Sequence, residues 1–254
     1  MQLVKTSLIR VAVCASSLLL GSGLHAQSPV PGGSSATMNA VLTKLFGGNS
    51  AFTARSDVRV MDKDRKETLS VTMKVISLDG KTRSEVDMAQ VKSAELPPEA
   101  TANLKQMGMD RVISIMRPDK KTIYLMYPGL QAYVDMPFAK EEAEAFEKDV
   151  KMEKTQLGKE TIDGHPCTKN KVEVINDKGE KQEMTVWNAT DLKDFPVQIQ
   201  AQEKDTIILM RYKEVQFVKP DAKQFDPPTG YKQYADNQQV MQKAMEKILG
   251  GANK

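Results

Sequence analysis

The stretch RVISIMRPDKKTIYLMYPGLQAYVDMPF, residues 111–138, decides the fold. Apolar and polar side chains alternate along it with a period of two. It therefore reads as three strands, 111–117, 121–127 and 131–136, joined by short turns. The second strand is apolar on both faces, with Ile123 and Leu125 on one and Tyr124 and Met126 on the other. A strand of that kind is covered on both sides, by core and by a helix or a ligand.

Upstream the same period persists. Val58 and Val60 alternate with polar residues in AFTARSDVRV, and Leu69, Val71, Met73 and Val75 do so in the next run. Asp79-Gly80 is a hairpin turn signal leading into KTRSEVDM. LPPEATANLKQMGMD (96–110) interrupts the sheet with prolines and predicts one or two helical turns. Before the first strand, TMNAVLTKLFGG spaces Met38, Val41, Leu42, Leu45 and Phe46 as one face of a helix. Thr37 is its predicted N-cap, and Gly47-Gly48 its end.

Downstream, AKEEAEAFEKDV (139–150) is a helix with a narrow stripe of Ala139, Ala143, Phe146 and Val150. Glu144 and Lys148 are spaced for an i,i+4 pair. Strands resume at 151–159 and 166–175, and QEMTVWN and PVQIQAQE follow after the turn DKGEK. TIILMRYKEVQFV changes phase near Lys213-Glu214, which predicts a bulge. KPDAKQFDPPTGYKQY is a Pro/Gly-rich wrap. The amphipathic helix DNQQVMQKAMEKILGG, capped by Asp236 and closed by Gly250, ends the sequence. The sum is an α+β fold: nine or ten antiparallel strands in a strongly curved sheet, an incomplete β-barrel with helices covering its concave side.

The first 26 residues read as a cleaved signal peptide. Lys5 and Arg10 form a basic start, residues 11–24 are apolar, and Ala26 suits a cut. That run is shorter than the ~20 residues a spanning helix needs, and no later run approaches that length, so the mature chain is expected to be periplasmic or secreted. Residues 27–36 form a flexible leader, 37–234 the half-barrel domain and 235–254 the C-terminal helix. Losing Lys5 and Arg10 brings the net charge from +3 to +1. Such a balance points to no nucleic-acid partner. The signal also removes one of the two cysteines and one of the two histidines, leaving no internal disulfide.

His165-Pro166-Cys167 raises the question of thiol chemistry. Positions i and i+2 share a face, and Lys169 and Lys171 follow Cys167 on that face, where they would lower a thiol pKa. Pro166 places the pair at a strand start, and the sequence shows no orienting third group. The competing reading is a hairpin with Gly164 in its turn and Cys167 as a small packing residue. One His and one Cys fall short of a zinc set. None of the common cofactor, zinc-protease or hydrolase signatures occurs, so no cofactor, metal or catalytic residue is assigned. Asn188-Ala189-Thr190 has the glycosylation pattern. The many methionines read as adaptable apolar filling rather than a soft-metal site.

The order of elements resembles the outer-membrane lipoprotein carrier (LolA/LolB-like) fold, and more closely a bacterial secreted-protein family, a domain of unknown function, that shares it. The resemblance rests on AFTARSDVRV, residues 111–138, LGKETIDGHPCTKNKVEV, VWNATDLKDFPVQIQ and VKPDAKQFDPPTGYKQY. It implies a half-barrel with a hydrophobic cavity and no catalytic residues. It also implies a cysteine-bearing strand at Cys167 and a closing apolar plug at Phe225, Pro228 and Tyr231. The insertion at 96–110 and the 139–150 helix depart from the carrier pattern.

The function expected is therefore non-enzymatic: binding of an apolar ligand, with a lipid, a lipoprotein or an envelope protein as partner. The cavity candidates are Leu69, Val71, Met73, Ile113, Ile115, Ile123, Leu125, Val197 and Ile199. The alternatives are an envelope interaction or stress-sensor module without a small ligand, and a thiol enzyme built on Cys167.

Overall fold

The computed structural model describes residues 35–93, 97–147, 151–175, 181–203 and 205–251. The predicted signal peptide, residues 27–34 of the leader, and Lys148 with its predicted ion pair lie outside the described residues. The chain enters as α1 (Ser35–Leu45), followed by β1 (Ala51–Met61), β2 (Glu67–Leu78), β3 (Lys81–Asp87) and the two-residue β4 (Lys92–Ser93). Helix α2 (Pro98–Met107) precedes β5 (Arg111–Arg117), β6 (Thr122–Tyr127) and β7 (Ala132–Pro137). Next come α3 (Lys140–Glu147), β8 (Lys151–Ile162), β9 (His165–Ile175), β10 (Lys181–Ala189), β11 (Phe195–Glu203) and β12 (Thr206–Gln216). The short β13 (Lys232–Tyr234) and α4 (Asn237–Gly251) complete the order.

All thirteen strands join one curved, unclosed sheet, in the order β13-β7-β6-β5-β3-β2-β1-β12-β11-β10-β9-β8, with β4 beside β2. Every pairing is antiparallel except β13 with β7, which is parallel. The expected nine or ten antiparallel strands thus become thirteen with one parallel edge. β4 and β13 have two and three residues, too few to show alternation. They are held by main-chain bonds such as Lys232 N–H to Gln131 O at 2.8 Å.

Local chemistry sets the turns. Asp79-Gly80 and Asp163-Gly164 each put two successive residues at positive φ, the two-residue hairpin geometry that suits a right-twisted ribbon. Two matching turns, Pro118–Lys120 and Pro128–Leu130, carry β5 into β6 and β6 into β7. Each is closed by a left-handed residue, Lys121 or Gln131, whose N–H returns to the proline carbonyl at 3.1 Å. The predicted bulge lies in β12: the β1–β12 register slips opposite Thr53 and Arg55, and Glu214 has φ +54°.

The helix ends differ from expectation in three places. α1 is already helical at Ser35, so Thr37 lies inside it rather than capping it. α2 is ten residues long instead of one or two turns, because Pro98 stands in its first turn, where no N–H is needed. α4 continues through Gly250, while its predicted cap holds: Asp236 Oδ1 accepts from Gln239 N–H at 2.9 Å.

The core divides into three apolar clusters. One gathers Val41 of α1 and Phe46 of the turn after it with Phe52, Ala54, Val75 and the inner residues of β9 to β12. A second packs Leu104 of α2 and Val240 and Ala244 of α4 on Val112, Leu125, Tyr127 and Val134. The third holds Ile76, Leu78, Ile113, Ile115 and Met126 under Phe225 of the C-terminal wrap. Helix α3 packs on α1, where Asn39 Nδ2 donates to Glu142 Oε1 at 3.3 Å.

Candidate functional site

Strand register assigns each side chain to a face. One cross-strand row carries Phe52, Ser77, Thr82, Met116, Ile123 and Met136. The next carries Ala54, Val75, Ser84, Ser114, Leu125 and Val134, and a third Ser56, Met73, Val86 and Val112. Residues directly opposite share a face. Ala54 and Val75 pack with α1, while Leu125 and Val134 pack with α2 and α4. All three rows therefore belong to the helix-bearing face, whose two ends lie beneath different helices.

Between those ends the packing changes. Ser84 on β3 and Ser114 on β5 stand opposite each other, both half-buried. Neither hydroxyl has a hydrogen-bond partner among the described residues. Thr82, Val86, Met116, Ile123, Met136 and Met73 surround them and are half-buried too. The middle of this face is a trough with small polar side chains on its floor and methionine, valine and isoleucine on its rim.

Seven of the nine sequence candidates lie on this face. Met73 and Ile123 border the trough. Val197 and Ile199 are fully buried in the α1 cluster, Leu125 is buried in the α2–α4 cluster, and Val71 is buried on β2. Leu69 is half-buried at the end of β2, opposite Ser93. Ile113 and Ile115 are a correction. They alternate out of phase with Val112 and Ser114, so they point to the opposite face and pack against Phe225. Sequence reasoning missed Ser84, Ser114, Thr82, Met116 and Met136. The alternation Thr82-Ser84-Val86 was the available signal, but hydroxyl side chains on a strand read as a solvent face.

A latch closes the opposite face. Arg117, only 8 % exposed, grips Asp119 with two hydrogen bonds of 2.8 Å. It also donates to the carbonyl of Phe225 at 3.0 Å and to the Asp226 carboxylate. The hydrogen bond from Arg117 holds the Asp119 carboxyl below its ordinary range, against the opposing effect of burial. Phe225 is fully buried and Tyr231 packs beside it. Pro228 is exposed in a turn, where its carbonyl accepts from Tyr231 N–H at 3.2 Å, and takes no part in the plug.

On that same face lies a groove of about 610 Å³ between β12, β1, β2 and β3. Its charges are largely spent on one another. Arg55 meets Glu214 at 3.0 Å, and Arg111 meets Glu85 at 2.6 Å. Burial acts to raise the Glu85 carboxyl, but hydrogen bonds from Arg111 and Arg83 outweigh it and hold the pKa below the usual value.

The His165-Cys167 pair does not assemble. His165 Nδ1 lies 2.8 Å from Asp191 Oδ2, while the Cys167 thiol donates to the carbonyl of His165 at 3.3 Å. Cys167 is 2 % exposed, and burial pushes its pKa up, with Asp191 and Glu160 adding to the shift. The lysines expected to lower it are engaged elsewhere: Lys169 with Glu160 at 2.7 Å, Lys171 with Glu173 and Glu183. The hairpin reading with Gly164 in the turn describes the site. Asn188 is buried, donating to Asp194 O at 2.8 Å and accepting from Asn170 at 3.0 Å, so its amide is not presented for glycosylation. Among the described residues, no His, Cys, Asp and Glu group is placed to hold a metal ion. No helix among them is long and apolar enough to cross a membrane.

Several solved structures are similar to this chain. A LolA superfamily protein from Nitrosomonas europaea is 12 % identical over 76 % of this chain and 96 % of its own, with a TM-score of 0.36. The lipoprotein LppX of Mycobacterium tuberculosis is 11 % identical over 71 % and 94 %, with a TM-score of 0.38. LprF from Mycobacterium bovis is 15 % identical over 76 % and 98 %, with a TM-score of 0.37. No curated protein matches by sequence. Residues 68–195, half of the chain, match the model of a domain of unknown function, DUF4412. That span runs from β2 through β10 and holds the serine pair with its methionine rim; the protein belongs to the DUF4412 family.

Proposed function

We propose that this protein binds an apolar ligand, a lipid or a lipidated partner, in the trough of the helix-bearing face, and that it does so without catalysis in the cell envelope. One observation supports this reading above the rest. Helices bury both ends of the face, yet its centre stays only half-buried: Met116 and Ile123 join none of the three core clusters, and Met73, Val86 and Met136 are covered in part by the clusters on either side. Left bare, such a surface costs free energy that a ligand's hydrocarbon would recover, about 25 cal/mol per Å² covered. Methionine suits a rim of this kind because its unbranched thioether adapts to chains of different shape.

The test is a native mass spectrum of the protein purified after export, beside an organic extract of the same sample. Near-stoichiometric lipid on the wild type, lost in Ile123→Asp with the fold intact by circular dichroism, is the expected result. Ile123 is the better probe than fully buried Leu125, whose substitution would also cost core packing. A bare mass with an empty extract would sink the ligand reading.

A second reading, an envelope interaction module, has one specific observation behind it. The outer side of α4 exposes Met245 (54 %), Ile248 (37 %) and Leu249 (69 %), while Val240 and Ala244 of the same helix are fully buried. A bare mass together with a stoichiometric protein partner, released by Leu249→Lys, would move the assignment there.

A further inference from the structure

We infer that the trough selects an apolar chain carrying a carbonyl linkage, and that Ser84 and Ser114 together hold that carbonyl oxygen. The inference rests on the ligand reading above and specifies the ligand's chemical class. The two serines face each other across β3 and β5. Side chains so paired have Cβ atoms ~5 Å apart, so two hydroxyls can converge on one oxygen from opposite sides at ordinary hydrogen-bond length. A carbonyl oxygen has two lone pairs and accepts two such donors.

The surroundings sharpen the case. Along their own row the serines are flanked by Val75 and Ala54 on one side and by Leu125 and Val134 on the other. Above and below lie Thr82 with Met116, and Val86 with Val112. A purely aliphatic ligand would cover two hydroxyls that have no partner among the described residues, and burying an unsatisfied hydroxyl is costly. A ligand whose hydrocarbon chain runs from an ester or amide carbonyl satisfies the hydroxyls and the apolar rim at once. Ester-linked acyl lipids have that shape.

The experiment compares two lysophosphatidylcholines with the same headgroup and hexadecyl-length chain, one ester-linked and one ether-linked. Their affinities are read by displacement of a fluorescent fatty-acid analogue below the critical micelle concentration. Wild type should prefer the ester by about three- to ten-fold, the range of one or two neutral hydrogen bonds. In Ser84→Ala/Ser114→Ala the preference should vanish while ether affinity holds. The single variants Ser84→Ala and Ser114→Ala, each expected to weaken the preference, serve if the double variant misfolds. Equal affinity in wild type, or a preference that survives both substitutions, overturns the inference and leaves the ligand reading standing. Binding of neither lipid overturns both.

Discussion

At the scale of single residues, contact geometry decides what the molecule tolerates. Gly108 ends α2 in the left-handed region, and its carbonyl lies where a Cβ on Gly129 would come within 2.5 Å. Two backbone segments, one from a helix end and one from the turn before β7, touch there because neither has a side chain. Gly129→Ala is expected to destabilise by about 1–3 kcal/mol through forced backbone displacement, measured by urea unfolding. Gly48→Ala, where nothing lies within 4 Å and φ is ordinary, should change stability little and serves as the control. Residue identity alone carried part of the site. Met73 and Ile123 border the trough as their strand phase requires, while Ser84 and Ser114 were hidden because a serine is equally at home on a wet face. What makes them unusual is the apolar company supplied by other strands, and one strand's alternation does not contain it.

At the scale of elements, the C-terminal wrap depends on one guanidinium. Arg117, held in place by Asp119 in the turn after β5, ties that strand to the wrap through Asp226 and the Phe225 carbonyl. Arg117→Met keeps the aliphatic stem and removes every donor, leaving that buried carbonyl unpaired. The expected cost is about 1–3 kcal/mol, seen as faster hydrogen exchange over residues 222–231 than over β5. Acid should loosen the same latch. The folded pKa of Asp119 is depressed, so its contribution is full above the unfolded value, about 3.9. It is lost as pH falls through the lower folded value. Asp119 is half-exposed, so the effect is local release of the wrap rather than acid unfolding. Exchange over 222–231 that stays unchanged down to pH 2 would contradict this. Elements with a strong period, such as β5 to β7 and the Asp79-Gly80 hairpin, were legible to within a residue. β13 was not, since its pairing depends on where the wrap lands, a property of the whole chain.

At the scale of the whole molecule, the sheet is two meanders joined along a seam. β2 to β7 pair mostly with their sequence neighbours, as do β8 to β12, and the two sets meet where β1 lies against β12. The seam brings Val58 to Met210 and Val60 to Ile208, partners about 150 residues apart in the sequence. The curved sheet and its helices were legible because each meander is written in local alternation. The seam was not, because no local pattern names β12 as the partner of β1.

That seam makes the order of events in time matter as well as the arrangement in space. The β1–β2 hairpin can form early, but the other edge of β1 must wait until nearly the whole chain is present, and closing so long a loop is slow. During synthesis, the apolar residues Phe52, Ala54 and Val58 would stand uncovered, an opening for chaperones and for misassociation. Met210→Ala at the seam should therefore slow refolding in stopped-flow more than an equally destabilising Met126→Ala within the first meander. Equal slowing by the two would place the seam outside the rate-limiting step.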